Sequence, residues 1–264
     1  GVSFVILAPH QIAAFRDDTG AWCDATEATS ANRAFRIALP SGRSISALAY
    51  DGSTSRAVAF EGLLDDGGRF ADRLIAAADD TGLVVVATDG ESYGHHHTFG
   101  DMALSYALDR IEHSDEACLT NAASWLERNP PSVEARIVDP SSWSCAHGVG
   151  RWSEDCGCRM DHGRGWHQRW RGPLRDAFET LRDEARRALE PLGARLFSDP
   201  VSARDAYGEV IGRSEVFSDW YRQHVGSEPD EDRARAWLEV HRHLLAMFTS
   251  CAWFFDEVTG LEPL

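Results

Sequence analysis

The 264-residue sequence contains no lysine; all 26 of its basic side chains are arginine. Schiff-base chemistry and a Walker-type phosphate lysine are therefore excluded within it. Positive charge is short as a whole. Forty-two acidic residues leave a formal net charge of -16. That is the wrong sign for a surface that replaces phosphate counterions, so no nucleic-acid partner is expected. No stretch approaches the roughly 18 consecutive apolar residues of a membrane helix, so no membrane partner is expected either. The opening Gly1-Val2-Ser3-Phe4-Val5-Ile6-Leu7 lacks the basic n-region of a signal peptide. A cytoplasmic location is the expectation. There is no initiator methionine, and these first residues read as a strand already under way, so the chain is expected to be an internal piece of a longer one. Cysteine is sparse too: six are few for a disulfide scaffold of this size. Yet Cys145, Cys156 and Cys158 crowd into one short segment beside His147. Such clustering favours a metal site over scattered disulfides.

What is present is an α/β pattern that turns helical. Val2 to Leu7 is a continuous apolar run, suited to a parallel strand buried on both faces. Arg33 to Leu39 alternates, meets Pro40-Ser41-Gly42-Arg43, and is followed by Ser44 to Tyr50, which predicts a hairpin. Phe70, Leu74, Ile75 and Ala78 have helical spacing, and Gly82 ends that helix. Leu83 to Ala87 reads as the clearest buried strand. Phe99, Met102, Ala103, Tyr106 and Ile111 mark one helix face; Asn121 caps a helix over 122–128; Glu134 to Val138 is a short strand. Beyond about Gly165 the period is 3.6 throughout. A helix starts at Pro173 and runs to Pro191, Asp199-Pro200 opens another, and a long last helix carries Ala236, Trp237, Val240, Leu244, Phe248, Cys251 and Phe255. The boundary is placed at 164/165, after a long loop rich in Trp, Cys, His and Gly. Loops of that length are functional or disordered, and these side chains argue against disorder.

Three strand ends carry polar groups: Pro9-His10-Gln11, Asp89-Gly90-Glu91 and Asp139-Pro140-Ser141-Ser142. In parallel α/β folds the carboxyl ends of strands form the active face, so these groups are expected to converge. Turn chemistry alone accounts equally for an Asp before Pro140. It accounts less well for Asp89, which a second carboxylate and three histidines follow at once.

The stretch Asp89-Gly90-Glu91-Ser92-Tyr93-Gly94-His95-His96 resembles the fourth conserved region of glycoside hydrolase family 57. The stretches Ser142 to Val149 with Asp155-Cys156-Gly157-Cys158, and Met247 to Asp256, resemble a subset of that family labelled domain of unknown function 3536. The resemblance spans essentially the whole chain. It implies a partial (β/α)7-type barrel in residues 1–164, forming the C-terminal part of a catalytic domain. A helical, truncated region then follows in 165–264. It implies a retaining glycoside hydrolase or transglycosidase acting on α-glucan-type oligo- or polysaccharide, with Asp89 as general acid/base, His95 on sugar hydroxyls, and no cofactor needed for the chemistry. Retention needs a second carboxylate about 5–5.5 Å away as nucleophile. The family's Trp-Leu-x-Glu motif for that residue is absent, so the chain alone is expected to be silent. Cys251-Ala252-Trp253 stands where the family reads Ser-Asp-Trp.

Other assignments stay open at this stage. Glu91, if its segment is extended, shares a side with Asp89 and raises its pKa by like-charge repulsion; the alternative is an acceptor that holds a loop. Cys145, His147, Cys156 and Cys158 offer a structural zinc set, a disulfide, or reduced thiols packed among tryptophans with His147 facing substrate. Trp143, Trp152, Trp166 and Trp253 offer faces for sugar stacking, or packing. Two rival functions remain. One is a metal-dependent carbohydrate hydrolase of α-mannosidase or deacetylase type, with Asp89 and the histidines on zinc. The other is a non-catalytic glycan-binding or scaffold protein. Nothing in the sequence sets the oligomeric state.

Overall fold

The computed structural model describes residues 2–78, 82–159 and 163–259. The chain forms two compact units, 1–148 and 149–264. This division falls earlier than the 164/165 boundary expected from periodicity.

Unit 1 is built on one six-stranded sheet of order β1-β5-β4-β6-β2-β3. The strands are β1 (Phe4–Leu7), β2 (Ile12–Arg16), β3 (Trp22–Asp24), β4 (Arg33–Ala38), β5 (Ser44–Ala49) and β6 (Glu134–Ile137). The hairpin appears as expected: β4 pairs antiparallel with β5 from Arg33 opposite Ala49 to Ala38 opposite Ser44. β1 lies parallel to β5, and β6 parallel to β4. β2, which the sequence reading missed, pairs antiparallel with both β6 and β3. The α/β class holds, but the six strands are of mixed direction and β1 and β3 end the order, so this sheet does not by itself make a barrel. Ile12, Phe15, Phe35, Ala49 and Ala135 form the core on the sheet.

The helices of this unit are α1 (Glu27–Ser30), α2 (Gly52–Phe60), α3 (Gly67–Ala78), α4 (Gly100–Glu112) and α5 (Ala122–Arg128). Asn121 caps α5 by accepting from Ser124 N, as its position predicts. α4 is turned relative to expectation. Gly100, Ala103, Ala107 and Ile111 are buried, whereas Phe99, Met102 and Tyr106 are exposed. The reason is close helix approach through small residues. A Cβ on Gly67 in α3 would lie 2.9 Å from the Ala103 carbonyl oxygen.

Leu83 to Ala87 is extended but joins no ladder, which corrects the expected strand. Side chains meet part of its backbone. Val85 N donates to Asn32 Oδ1 at 3.0 Å and Ala87 N to Ser55 Oγ at 3.2 Å. One backbone bond, Asp51 N to the Val85 oxygen at 2.7 Å, ties the segment to the end of β5.

Unit 2 is helical: α6 (Arg171–Leu196), α7 (Pro200–Ala206), α8 (Ser214–His224), α9 (Glu231–Ala246) and α10 (Ser250–Phe254). Asp199 caps α7 through Val201 N and Ser202 N. α6 continues through Pro191 instead of stopping there. Beside this proline Trp237 Nε1 donates to the Leu189 oxygen at 3.0 Å. The long last helix is in fact two, since α9 ends at Ala246 and α10 begins at Ser250. The side chains of Cys251 and Ala252, which entered the sequence reading, lie outside the described residues. Phe197, Tyr207, Phe217, Trp220, Tyr221 and Trp237 dominate the core. Among the described residues no helix is long and apolar enough to cross a membrane.

Candidate functional site

Asp89 stands where the extended segment turns into a short 3-10 helix, Gly90–Ser92. The loop around it is anchored at several points. Ser92 N donates to the Asp89 oxygen at 3.1 Å, and the Glu91 oxygen accepts from His95 N at 3.1 Å and His96 N at 2.8 Å. The Thr88 hydroxyl and the Tyr93 phenol are 2.9 Å apart. A ring nitrogen of His97 meets the Ala59 oxygen at 2.9 Å. Gly100 closes the loop onto α4, and a Cβ there would lie 2.9 Å from the Ser92 oxygen. Ser92 is buried and Tyr93 and His97 half-buried, while Asp89, Glu91, His95 and His96 are exposed. Polar side chains left in solvent on a backbone held by packing are what a binding or catalytic loop requires. Glu91 lies on the helical turn, so the extended-strand argument for its sharing a side with Asp89 does not apply.

Of the three strand ends expected to converge, the first and the third are in contact. A His10 ring nitrogen meets the Ser142 oxygen at 3.1 Å, and Gln11 Nε2 donates to Ser141 Oγ at 3.1 Å. Gln11 is nearly buried and fixes its own turn, with Oε1 accepting from Ala8 N at 3.0 Å. Asp51 was not picked out from the sequence, although Asp51-Gly52-Ser53-Thr54 is a cap signature. It is buried at the end of β5 and caps α2, accepting from Thr54 N at 2.9 Å, Thr54 Oγ1 at 2.8 Å and Ser53 Oγ at 2.9 Å. Burial pushes its carboxyl up. The Thr54 and Ser53 donors, with Arg73 nearby, outweigh that and hold it below its ordinary value.

Of the four expected metal ligands, Cys145 and His147 belong to unit 1 and Cys156 and Cys158 to unit 2. Cys145 is buried, His147 exposed, Cys156 and Cys158 half-buried. No disulfide joins the three cysteines, so the disulfide readings are not what the structure shows. Local turns shape the chain around each pair. Ser142 Oγ donates to the Gly148 oxygen at 2.8 Å. Gly148 and Gly157 have positive φ, 69° and 80°, a conformation that glycine adopts without penalty. Behind Cys156 and Cys158 lies Gln168, fully buried. Its Oε1 accepts from Gly157 N at 3.1 Å, and its Nε2 donates to the Cys158 oxygen at 2.7 Å and to Asp256 Oδ1 at 3.0 Å. Arg171, also fully buried, directs Nη1 to the Cys156 sulfur at 3.7 Å and Nη2 to the Phe255 oxygen at 3.1 Å. Burial lowers its pKa, against the opposing pull of Cys156. Among the described residues Asp89, His95, His96 and His97 fall in no group of three or more side chains placed to share a metal ion. The rival reading that put these residues on a catalytic zinc therefore finds no ligand cluster there.

The tryptophans divide. Trp143 is exposed. Trp253 is not: it is fully buried, stacked on Trp170 at 6.1 Å and edge-on to Phe178 at 6.0 Å. Its expected role as a sugar platform is corrected to packing, because an indole enclosed on both sides has no face to offer.

The α/β fold of the chain is shared with a solved structure. A solved structure, an exo-type maltose-forming amylase from Pyrococcus sp. ST04, shares the fold with a TM-score of 0.69 at 15% identity, over 96% of this chain and 48% of that one. The chain thus spans about half the length of that relative. A 4-alpha-glucanotransferase from Thermococcus litoralis aligns at 13% identity over 85% of this chain and 31% of its own, with a TM-score of 0.40, too low to carry an argument. Residues 166–264 match the family described as Domain of unknown function (DUF3536). No curated protein matches the sequence.

Proposed function

We propose that the chain is part of a glycoside hydrolase or transglycosidase of the family 57 type, acting on an α-glucan by a retaining mechanism. The observation that carries this is Asp89, exposed on an anchored loop at the end of an extended segment, in a fold shared with a maltose-forming amylase. Asp89 is the general acid/base: it protonates the leaving glycosidic oxygen, then deprotonates the water or sugar hydroxyl that attacks the glycosyl-enzyme. The nucleophile, the other barrel strands and the opposite wall of the pocket belong to sequence outside residues 1–264. His95, Glu91 and the exposed Trp143 are the substrate contacts that this chain contributes. Stacking on indole suits a sugar face, and exposed imidazole and carboxylate suit its hydroxyls.

The experiment is turnover of maltooligosaccharides by the full-length protein, with the anomeric form of the product followed by NMR. The reading expects an α-anomeric product whose formation Asp89→Asn abolishes. A β-anomeric product, or no turnover of any α-glucan by folded protein, would reject it.

A further inference from the structure

We propose that the exposed face of α4 binds a neutral oligosaccharide chain that continues from the Asp89 loop, with sugar rings stacked on Phe99 and Tyr106. The inference rests on the α-glucan reading for the identity of the sugar, and it adds a binding platform away from the reacting bond.

The face is apolar and held open. Phe99 is 69% exposed, Met102 64% and Tyr106 57%, and their spacing sets them on one side of α4. Phe99 has a φ of 66°. A bulky side chain in the left-handed region is strained, and such strain persists where the surroundings impose it, chiefly at binding and catalytic sites. Here the surroundings do impose it. Gly100 N donates to the His97 oxygen at 2.9 Å, and a Cβ on Gly100 would lie 2.9 Å from the Ser92 oxygen and 3.1 Å from Leu64 Cδ1. The backbone after Phe99 is therefore locked under the loop. Tyr106 is fixed differently: it lies against Gly67, where an added Cβ would be 3.0 Å from Tyr106 Cδ1. Its ring rests on bare backbone and stays partly in solvent.

The chemistry of the face selects its occupant. Leu64, Asp65, Thr98, Phe99, Met102 and Tyr106 line an open groove of about 600 Å³, the size of a small-ligand site. Asp65 and Thr98 are exposed in it, offering a carboxylate and a hydroxyl beside the aromatic rings. A sugar ring has an apolar face and hydroxyl edges, so it can use both. The core of a protein interface is instead depleted in charge, and an anionic ligand would meet Asp65 and, in the first turn of α4, Asp101. Position gives the sugar its source. The loop from Asp89 to Thr98 leads directly into Phe99, and its Ser92 oxygen touches Gly100. Phe99 and Tyr106 are seven residues apart, about 10 Å along the helix, the span of a short oligosaccharide.

The test uses the full-length protein. Phe99→Ala and Tyr106→Ala should each raise KM for amylose, and Kd for maltoheptaose by calorimetry, by about 2–10-fold, the size of one aromatic contact. Turnover of maltotriose, held at the Asp89 loop alone, should not change. Phe99→Tyr and Tyr106→Phe keep a ring and should keep the wild-type KM. Unaltered amylose KM and maltoheptaose binding in both alanine variants, with turnover intact, would overturn the inference and leave the α-glucan reading standing. A wild-type dimer in sedimentation that Phe99→Ala dissociates would also overturn it, by making this face an interface between copies. Folded wild type that neither binds nor turns over any α-glucan would reject the α-glucan reading, and the inference with it.

Discussion

The Thr88 hydroxyl and the Tyr93 phenol meet at 2.9 Å, and Asp89 to Ser92 lie on the chain between them. The pair closes the base of the loop that presents Asp89. Tyr93→Phe removes one partner, and an ordinary hydrogen bond is worth about 0.5–1.5 kcal/mol net. The denaturation midpoint should fall by an amount in that range with an unchanged slope. The proposed function expects kcat of the full-length protein to fall as well, because the pair fixes the loop that positions Asp89. A variant with wild-type stability and kcat would show that the contact is idle.

Gly193 in α6 lies under the indole of Trp237, where an added Cβ would be 2.6 Å from Cζ2. Alanine is worth up to about 1 kcal/mol over glycine in a helix interior. Overpacking a core costs about 1–3 kcal/mol. Because Trp237 is also tied to the Leu189 oxygen at 3.0 Å, the indole has little room to yield and the steric cost wins. Gly193→Ala should therefore lower the melting temperature, whereas propensity alone would raise it; the direction of the shift in a thermal melt decides.

The hydrogen bond from the Tyr207 phenol to Glu239 predicts two pH limbs. Burial and this carboxylate push Tyr207 up to about 12. An unfolded phenol ionises near 10, so between about pH 10 and 12 the folded chain holds a proton that the unfolded chain releases, and stability falls as pH rises. Glu239 is held below its ordinary value, first by the Tyr207 donor and then by Arg242. Its contribution is present above the unfolded carboxylate pKa and is lost as pH falls through the depressed folded value. Tyr207→Phe should flatten the alkaline limb in denaturant titrations; an unchanged slope between pH 10 and 12 would remove the phenol from the account.

Local chemistry was legible in the sequence. The β4–β5 hairpin and the caps at Asn121 and Asp199 all depend on neighbours a few residues away. What depends on distant partners was misread. Leu83 to Ala87 has the composition of a buried strand, yet its amides are met by Asn32 and Ser55, which no periodicity reveals. The inner face of α4 was misplaced because large apolar residues outrank glycine and alanine in any pattern, while close packing against α3 selects Ala103 and Ala107. β2 escaped notice because Ile12-Ala13-Ala14-Phe15-Arg16 is short and its edges are set by β6 and β3. Trp253 looked like a platform because burial by Trp170 and Phe178 is a tertiary fact.

The most direct test of the central claim is the full-length protein with Asp89→Ala, assayed on natural α-glucan and on an activated α-glucoside with and without azide. If Asp89 is the general acid/base of a retaining enzyme, turnover of natural α-glucan falls by about 10²–10⁴-fold. Azide, which needs no general base, then restores turnover of the activated substrate and yields an α-glycosyl azide. Near-normal hydrolysis of natural substrate by the Asp89→Ala protein would contradict the assignment.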